Sequence, residues 1–472
     1  MLKQLINGEW CDAANGHTWD VINPATEEIV TQVPYGNADD AQKAIDAAHV
    51  AFKTWRKTTP YYRADILKKI ADLIRERASA LAEDTSRECG KPLIESKGEW
   101  LVAANLFEWY AEEGKRSYGR VIPTNRTDKR SQVILQPIGV VACITAWNFP
   151  SYNPARSWGA ILAAGCTLVA KGSEYTPLTT LNLAKIAQEA GVPAGVINVI
   201  NGDAASMGAL FLSDERVKKI SFTGSTRVGK LLMDGASQTH TKLSLELGGN
   251  APVIVAADVD VDKIARASVA TKFRNCGQVC VSPQRFYVHE SIVATFTEQA
   301  IAAVKEYKLG SGLDNTVRLG PLINKRQQEH VLSIVAEARA SGANVLIGGD
   351  ALDKGYFVTP CIISAKQTDT FVHKEIFGPV MLIIPFSTRE QVVEWANETP
   401  YGLASYVMTN SLYDSIYYSE NLEFGMVGIN EWAPHGTEAP FIGWKASGQG
   451  HEGGQEGLHE YLEKKLISIG GC

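Results

Sequence analysis

A regular alternation of short apolar runs and helical segments over residues 167–255 limits the fold of this chain more than any other feature. The apolar runs have the length of buried strands and are residues 167–170, 196–199, 219–222, 242–245 and 251–255. The segments between them with helical periodicity are residues 178–190, 205–212 and 226–236. Strands that alternate with helices form a parallel sheet with helices on both faces. The sequence therefore predicts an α/β fold.

A second alternating block follows in residues 261–430. Its expected helices and strands are 291–307, 325–340 and 389–397, and 344–346, 380–384 and 425–429. Ahead of both blocks, residues 39–114 predict a helical layer, and the last dozen residues predict a strand that pairs outside its own block. Because 472 residues exceed one ordinary core, we expect two or three domains.

Composition excludes several classes of function. A net charge of -6, with 45% hydrophobic and 21% charged residues, describes an ordinary globular protein and gives nucleic acid no electrostatic reason to bind. The chain contains no run of about 18 apolar residues, so the sequence predicts no membrane span. The start, MLKQLINGEW, shows no secretory signal, and the eight cysteines form no disulfide framework. We therefore expect a cytoplasmic protein with reduced thiols.

Cys280 lies in the segment FRNCGQVC, residues 273–280, directly after a predicted apolar helix over residues 261–273. A thiol at such a helix-to-loop junction can be exposed, and cysteine is a strong nucleophile once a neighbour or a lowered pKa activates it. Free cysteines are also commonly buried for structural reasons. This segment alone leaves a catalytic and a structural role open.

Two polar residues and one turn follow predicted strands. Glu246, in LELGGN, and Asn148, in WNFP, lie where α/β proteins bind ligands, at the carboxyl ends of strands. There a carboxylate can activate water and an amide N–H can stabilise an oxyanion. The turn in ISFTGSTRVG, residues 220–229, can present helix N–H groups to a pyrophosphate. Taken singly, each also has a structural interpretation: Glu246 as part of an ion pair, Asn148 as a turn residue, and residues 220–229 as an ordinary strand-to-helix turn.

Five motifs in a fixed order give the chain a resemblance to a known family. They are WNFP at 147–150, FTGS at 222–225, ELGG at 246–249, GQVC at 277–280 and EIFGP at 375–379. In order and spacing they resemble the aldehyde dehydrogenase superfamily. The resemblance implies a Rossmann-like cofactor domain (residues 1–119 and 140–249), an α/β catalytic domain (250–450) and a β oligomerisation arm (120–139 and 451–472). It also implies a homodimer or homotetramer.

The resemblance assigns roles by position. Cys280 would attack the aldehyde, while the Asn148 amide and the Cys280 backbone N–H would hold the oxyanion. Hydride would pass to nicotinamide, and Glu246 would activate the water that hydrolyses the thioester. No residue is assigned to a metal. The implied cofactor-binding residues are Trp147, Lys171, Glu174, Gly224, Ser225, Gly229, Leu247, Gly248, Glu375 and Phe377.

The segment KGSE, residues 171–174, resembles the part of the family that binds the adenosine ribose, although Gly172 stands where a proline is usual. A carboxylate at Glu174 would repel the 2′-phosphate of NADP, whose charge is about -1.5 to -2. We therefore expect NAD to be the preferred cofactor, with NADP as a secondary one.

Arg156 and Arg285 match in position the arginines that hold a distal carboxylate in relatives resembling succinate semialdehyde and α-ketoglutarate semialdehyde dehydrogenases. A guanidinium is well suited to bind a carboxylate, although a structural ion pair would explain either arginine. By the same resemblance, Ser447 and the loop 431–439 are expected to line the substrate entrance. The partner implied is a small aldehyde with a distal carboxylate.

The C-terminal segment departs from the family pattern. Ile442 and Trp444 are bulkier and more apolar than the pattern expects, and His451 replaces an arginine. These departures leave the identity of the aldehyde open.

The sequence thus predicts NAD(P)-dependent oxidation of a carboxylate-bearing semialdehyde, either α-ketoglutarate semialdehyde or succinate semialdehyde, through a Cys280 thioester. The alternatives are a dehydrogenase for another small aldehyde, a cofactor-independent cysteine thioesterase, a CoA-dependent acylating enzyme and an inactive binding protein. Cys280, Glu246 and Asn148 together argue against the last, and Glu246 favours water over CoA as the acceptor.

Overall fold

The structure is a computed structural model that describes residues 2–471, so Cys472 lies outside the described residues. Its helices include each predicted one to within a few residues at each end, whereas those over residues 152–164, 412–421 and 454–459 were not predicted. In chain order they are α1 Ala38–Trp55, α2 Pro60–Cys89, α3 Leu93–Glu113, α4 Tyr152–Ala164, α5 Pro177–Glu189, α6 Ala204–Ser213, α7 Thr226–Thr239, α8 Val261–Phe273, α9 Val293–Lys305, α10 Lys325–Ala340, α11 Arg389–Asn397, α12 Leu412–Asn421 and α13 Gly454–His459.

The strands also include each predicted one. In chain order they are β1 Gln4–Ile6, β2 Glu9–Cys11, β3 Thr18–Ile22, β4 Ile29–Pro34, β5 Arg120–Ile122, β6 Lys129–Pro137, β7 Val140–Ile144, β8 Thr167–Lys171, β9 Ile197–Ile200, β10 Val217–Thr223, β11 Lys242–Glu246, β12 Ala251–Val255, β13 Pro283–His289, β14 Asn344–Ile347, β15 Cys361–Ser364, β16 Val380–Phe386, β17 Tyr401–Gly402, β18 Ala404–Met408, β19 Met426–Ile429, β20 Phe441–Ile442, β21 Trp444–Lys445, β22 Gly448–Gln449, β23 His451–Glu452 and β24 Leu462–Gly470.

The first sheet has the spatial order β2, β1, β9, β8, β7, β10, β11, β22, and its strands from β9 to β11 are parallel. Side chains alternate across its faces. Val141 and Cys143 of β7 face a core that contains residues of α2 to α5, while Val140 and Ala142 face a core that contains residues of α1, α6 and α7. The sheet is therefore covered by helices on both faces, which confirms the predicted α/β fold.

The second sheet has the order β14, β15, β16, β13, β12, β18, β19. The sequence grouped residues 251–255 with the first alternation, but the structure places this strand, β12, between β13 and β18 of the second sheet. Only residues 247–250 separate β11 from β12. A strand parallel to β11 in the same sheet would need a long crossover connection. Because this connection is short, β12 belongs to another sheet.

A third, smaller sheet forms an arm. β24 pairs antiparallel with β6 along its whole length, and β5 pairs with the other edge of β6. The predicted pairing of the C-terminal strand outside its own block is therefore confirmed. The arm exposes apolar side chains, including Val121 at 82% and Leu466 at 64% of their surface.

Thiols, long apolar helices and metal-binding clusters were sought among the described residues. The seven cysteines between residues 2 and 471 are free thiols, and most of them are buried. Within that range no helix combines the length and the apolar character needed to cross a membrane. Nor do three or more His, Cys, Asp or Glu side chains of these residues cluster as a metal site would require.

Candidate active site

Several predicted site residues lie at one edge of the first sheet because parallel strands end there. β10 leads into Gly224, β11 ends at Glu246, and the chain after β7 reaches Asn148. These three strands are adjacent and parallel, and the three residues line one cavity. The carboxyl ends of parallel strands form the usual ligand crevice of an α/β sheet.

Cys280 reaches the same crevice through a tight turn after α8. Asn275, Cys276 and Gly277 have positive φ angles of 48°, 56° and 72°. A Cβ atom on Gly277 would lie only 2.1 Å from the carbonyl oxygen of Gly378, so a larger residue does not fit there. The turn brings Cys280, which is partly exposed, to a position where it lines two cavities at once.

The Asn148 side chain is buried and its orientation is fixed by hydrogen bonds. Its Oδ1 accepts from Nδ2 of Asn153 at 3.3 Å, and its Nδ2 donates one hydrogen to the Gln278 carbonyl at 3.2 Å. The carbonyl oxygen of Asn148 accepts from Lys91 Nζ and Asn275 Nδ2, both at 2.9 Å. An amide nitrogen carries two hydrogens, so the second one is available to an oxyanion at Cys280.

Glu246 is buried at the end of β11, and burial raises the pKa of its carboxyl to about 7. Its Oε2 lies 4.0 Å from Nη2 of Arg156, and its Oε1 has no hydrogen-bond partner among the described residues. Burial, and after it the charge of Glu246, raises the pKa of the Cys280 thiol well above its usual value. A neutral thiol therefore lies beside a carboxyl that can exchange a proton near neutral pH.

The first cavity, of about 470 Å³, extends from Cys280 along the edge of the first sheet. Its walls depend on the glycines of ELGG. A Cβ on Gly248 would come within 2.5 Å of Oε2 of Glu375, and the N–H of Gly249 donates to Oε1 of Glu375 at 3.0 Å. Most of the predicted cofactor-binding residues line this cavity: Trp147, Gly224, Ser225, Leu247, Gly248, Glu375 and Phe377.

The start of α7 gives this cavity an anion-binding end. Ser225 is the N-cap of α7, and its Oγ accepts from the N–H of Val228 at 3.4 Å. The first turn of α7 contains no acidic residue, and Arg227 lines the cavity beside it. Because helix N-termini attract phosphate groups, the residues present fit a dinucleotide.

Three predicted cofactor residues do not line the first cavity. Lys171 and Glu174 lie at the end of β8 and form an ion pair with a separation of 2.9 Å; the next residue, Tyr175, lines the cavity. Gly229 lies within α7, where a Cβ would clash with Leu247. Lys171 and Glu174 are therefore just beyond the cavity wall, and Gly229 lies behind it.

The second cavity, of about 310 Å³, meets the first at Cys280. Its walls are cationic and aromatic, with two carboxylates. Its lining includes Arg156, Arg274, Phe149, Tyr152, Phe441, His435, Glu95 and Glu99.

Arg156 lines the second cavity and has hydrogen-bond donors without an acceptor. Only 2% of its surface is exposed, and its Nη2 lies 2.5 Å from Oε2 of Glu452. Its Cζ lies 4.3 Å from the ring centroid of Phe441 and 5.0 Å from that of Tyr152. Among the described residues none accepts a hydrogen bond from Nε or Nη1. A carboxylate in this cavity would supply the missing acceptor.

Arg285 lines neither cavity, so the structure does not bring this predicted substrate-binding residue to the site. It is fully buried in β13, where its guanidinium donates to the Asn250, Trp395 and Ala396 carbonyl oxygens and to Tyr287 Oη, each at 2.9 Å. Successive residues of a strand point to opposite faces, so the distance in sequence from Cys280 does not determine which face Arg285 occupies.

The structure brings only part of the predicted substrate entrance to the cavities. Ser447 is fully buried, and its Oγ accepts from the N–H of Gly402 at 3.0 Å. Ile442 pairs with His451, and Trp444 is half exposed. Neither cavity is lined by Ile442, Trp444 or Ser447, whereas the loop 431–439 contributes His435 to the second cavity.

The cavity residues that the sequence interpretation missed include Arg274 and His435. Arg274 is exposed at the second cavity, with its Cζ 5.3 Å from the Phe149 ring centroid, and it forms no ion pair with a described residue. Arg274 could have been predicted as a site residue from the sequence, because it lies in the segment FRNCGQVC that ends at Cys280. His435 gave no signal, because a single histidine in a loop has neither periodicity nor spacing.

Comparison with known proteins gives consistent results. Residues 10–467 match the sequence profile of the Aldehyde dehydrogenase family. The chain is 46% identical over 470 residues to an NADP(+) succinate-semialdehyde dehydrogenase of Escherichia coli K12, covering 99% of this chain and 98% of that one. It is 42% identical over 467 residues to a glutarate-semialdehyde dehydrogenase of Pseudomonas putida, covering 99% and 97%. A crystal structure of succinate-semialdehyde dehydrogenase from Burkholderia pseudomallei matches with a TM-score of 0.98 and 42% identity, covering 100% and 98%.

Proposed function

Because this chain belongs to the aldehyde dehydrogenase family, we propose that it oxidises a semialdehyde with a distal carboxylate to the dicarboxylate. We further propose that it prefers NAD over NADP, because the Glu174 carboxylate would repel a 2′-phosphate. The observation on which the proposed oxidation rests is the position of Cys280 where two cavities meet. The first cavity fits a dinucleotide, and the second has two arginines in its lining. The names of relatives that act on succinate and glutarate semialdehydes support the substrate class.

The chain's own groups account for the chemistry. The Cys280 thiol gives up its proton to water in the cavity, and Sγ attacks the carbonyl carbon of the aldehyde. The oxygen that becomes negative is stabilised by the free N–H of Asn148 and the N–H of Cys280. A nicotinamide dinucleotide held in the first cavity would supply the hydride acceptor that oxidation of the thiohemiacetal to the thioester needs. Glu246 then accepts a proton from water as that water attacks the thioester carbonyl, a task suited to a pKa of about 7.

A substitution of Arg274 tests the substrate class. We expect Arg274→Met to lower kcat/KM for succinate semialdehyde roughly tenfold, because a hydrogen bond to a charged group contributes about 1.5–3 kcal/mol. For butanal, which has no carboxylate, kcat/KM should stay near the wild-type value. NADH formation with both aldehydes is the measurement. Arg156 is less suitable, since its loss would leave Glu452 unpaired and disturb Glu246.

The matched control is Arg266→Met, at an exposed arginine paired with Asp262 and Glu306 on the surface. This variant should behave as wild type with both aldehydes. An equal loss for succinate semialdehyde and butanal in Arg274→Met would contradict a role in carboxylate binding.

A substitution of Glu174 tests the cofactor preference. We expect Glu174→Gln to raise the ratio of kcat/KM for NADP to that for NAD by roughly tenfold, because the repulsion of a 2′-phosphate is removed. Initial rates with each cofactor give this ratio. Glu189→Gln, at a surface carboxylate paired with Arg77, is the control and should leave the ratio unchanged. An unchanged ratio in Glu174→Gln would argue that NAD and NADP are distinguished elsewhere.

The proposal extends to domains and assembly. The first sheet supports a cofactor domain of residues 1–119 and 140–249, and the second supports a catalytic domain of residues 250–450. The arm of β5, β6 and β24 supports a homodimer or homotetramer, because its exposed Val121 and Leu466 would be covered by another copy of the chain.

A further inference from the structure

The side chain of Asn275 has no task in the mechanism above, although it connects the segments of Asn148 and Cys280. Only 3% of its surface is exposed, and it lines neither cavity. Its Nδ2 donates to the carbonyl oxygen of Asn148 at 2.9 Å and to that of Gln278 at 3.1 Å. Because an amide nitrogen carries only two hydrogens, these carbonyls use both of them and neither is left for a substrate.

The two carbonyls belong to different parts of the molecule. Asn148 follows β7 of the first sheet, whereas Gln278 lies two residues before Cys280 in the turn after α8. The Gln278 carbonyl also accepts from Nδ2 of Asn148 at 3.2 Å. Asn275, Asn148 and Gln278 therefore form a closed ring of hydrogen bonds, which ties the main chain of Asn148 and its side-chain amide to the turn that carries Cys280.

This ring determines where the Asn148 amide points. One hydrogen of Asn148 Nδ2 is directed at the Gln278 carbonyl, and because the amide is planar its second hydrogen is then directed as well. The aim of that second hydrogen, which is the one offered to the oxyanion, depends on the separation of the Asn148 main chain from the Gln278 carbonyl. Asn275 donates to both carbonyls and so sets this separation. An oxyanion donor is effective only when it is aimed at the developing charge.

The backbone of Asn275 is held on both sides. Its N–H donates to Oε2 of Glu95 at 2.8 Å, and its carbonyl oxygen accepts from Nε2 of Gln278 at 3.1 Å. Its φ of 48° lies in the left-handed region, which asparagine adopts more readily than most residues. The side chain therefore reaches the two carbonyls from a fixed position.

The two carbonyls do not need Asn275 in order to be hydrogen-bonded. The Asn148 carbonyl also accepts from Lys91 Nζ at 2.9 Å, and the Gln278 carbonyl keeps its bond from Asn148 Nδ2. Without the Asn275 amide, neither buried oxygen would be left unpaired, so the penalty for an unpaired buried group does not arise. What the Asn275 amide adds is a bond to both segments at once.

We propose that Asn275 is a positioning residue for the oxyanion. Its amide holds the Asn148 main chain against the turn of Cys280 and thereby directs the free N–H of Asn148 at the aldehyde oxygen. The inference rests on the proposed function and adds to its mechanism a residue that contacts neither the aldehyde nor the cofactor. Asn275 acts on the rate of reaction through Asn148, and it does not change the reactivity of the thiol itself.

The test is a double-mutant cycle with succinate semialdehyde and saturating NAD. We expect Asn148→Ala to lower kcat/KM roughly 10²- to 10³-fold, and Asn275→Gly to lower it roughly tenfold or more. Glycine adopts the left-handed backbone of residue 275 without strain. In the Asn148→Ala background, Asn275→Gly should add less than about twofold, because the amide that it positions is already absent. A merely structural residue would lower kcat/KM by the same factor in both backgrounds.

The second readout is alkylation of Cys280 by iodoacetamide, followed by mass spectrometry of its peptide. In this reaction Sγ displaces iodide from carbon and no oxyanion forms, so its rate in Asn275→Gly should stay within about twofold of the wild-type rate. The matched control is Asn7→Gly, at an exposed asparagine with φ 52° between β1 and β2, where the same substitution meets the same backbone conformation. It should leave both readouts unchanged.

The inference is overturned if Asn275→Gly leaves kcat/KM at the wild-type value, or if it lowers kcat/KM by the same factor in both backgrounds. It is also overturned if alkylation of Cys280 slows in parallel with turnover. Should Asn275→Gly not fold, Asn275→Ser, whose side chain is too short to reach both carbonyls, enters the same cycle and decides in the same way. If the wild type oxidises succinate semialdehyde no better than butanal, the proposed substrate class fails instead, and the cycle is measured with butanal.

Discussion

Cys280→Ala enzyme is expected to lose aldehyde-dependent NADH formation by roughly 10⁴-fold or more, because the attacking sulfur is removed and no described thiol can take its place. The nearest cysteine in sequence, Cys276, is buried and lines neither cavity. Cofactor binding should persist, since the first cavity keeps its other walls. The measurements are the steady-state rate and the quenching of tryptophan fluorescence by NAD.

The control for this variant is Cys11→Ala, at a partly exposed thiol of β2 on the outer edge of the first sheet. It should retain the wild-type rate. A Cys280→Ala enzyme that turns over at a rate close to wild type would remove the central claim. Thioester hydrolysis by the wild type that is independent of NAD, without any aldehyde oxidation, would favour the thioesterase alternative.

Glu246→Gln should lower the steady-state rate by roughly 10²- to 10⁴-fold, because the amide cannot accept a proton from the attacking water. The thioester should then accumulate, so one equivalent of NADH per Cys280 forms quickly and turnover becomes slow. Stopped-flow measurement of NADH resolves this burst. An unchanged steady-state rate would exclude Glu246 as the base.

The pH profile provides an independent test of the same residue. Since a base acts only when ionised, and burial raises the pKa of Glu246 to about 7, wild-type kcat should rise as pH increases through about 7. Glu246→Gln should lose this rise. Glu375 needs its own control, because burial raises the pKa of its carboxyl to about 7 as well. Glu375→Gln should raise KM for NAD but keep the rise in kcat.

The residues that the sequence located well are those whose position depends on local structure. Asn148 and Glu246 follow apolar strands of one parallel sheet, so their meeting at one edge follows from the strand pattern. Cys280 follows a helix that the pattern also predicts. The family match and the structural comparison confirm the fold class and the family to which these motifs pointed.

The second cavity was harder to predict because its walls come from distant parts of the chain. Spacing from Cys280 selected Arg285, which faces carbonyl oxygens of its own domain, instead of Arg274, which reaches the cavity. The placement of His435 depends on how a loop after β19 folds over Phe441. No local pattern encodes such an approach, since it is decided by packing between segments far apart in sequence.

The connection of residues 247–250 has a mechanical consequence. It joins the last parallel strand of the first sheet to the second sheet, directly between Glu246 and the Gly249 that donates to Glu375. In a body that bends about a pivot, atoms near the pivot move least. Tilting one sheet against the other would therefore open the outer rim, near Glu174, far more than it would change the spacing of Cys280 and Glu246. A tilt about this connection would thus widen the rim without separating Cys280 from Glu246.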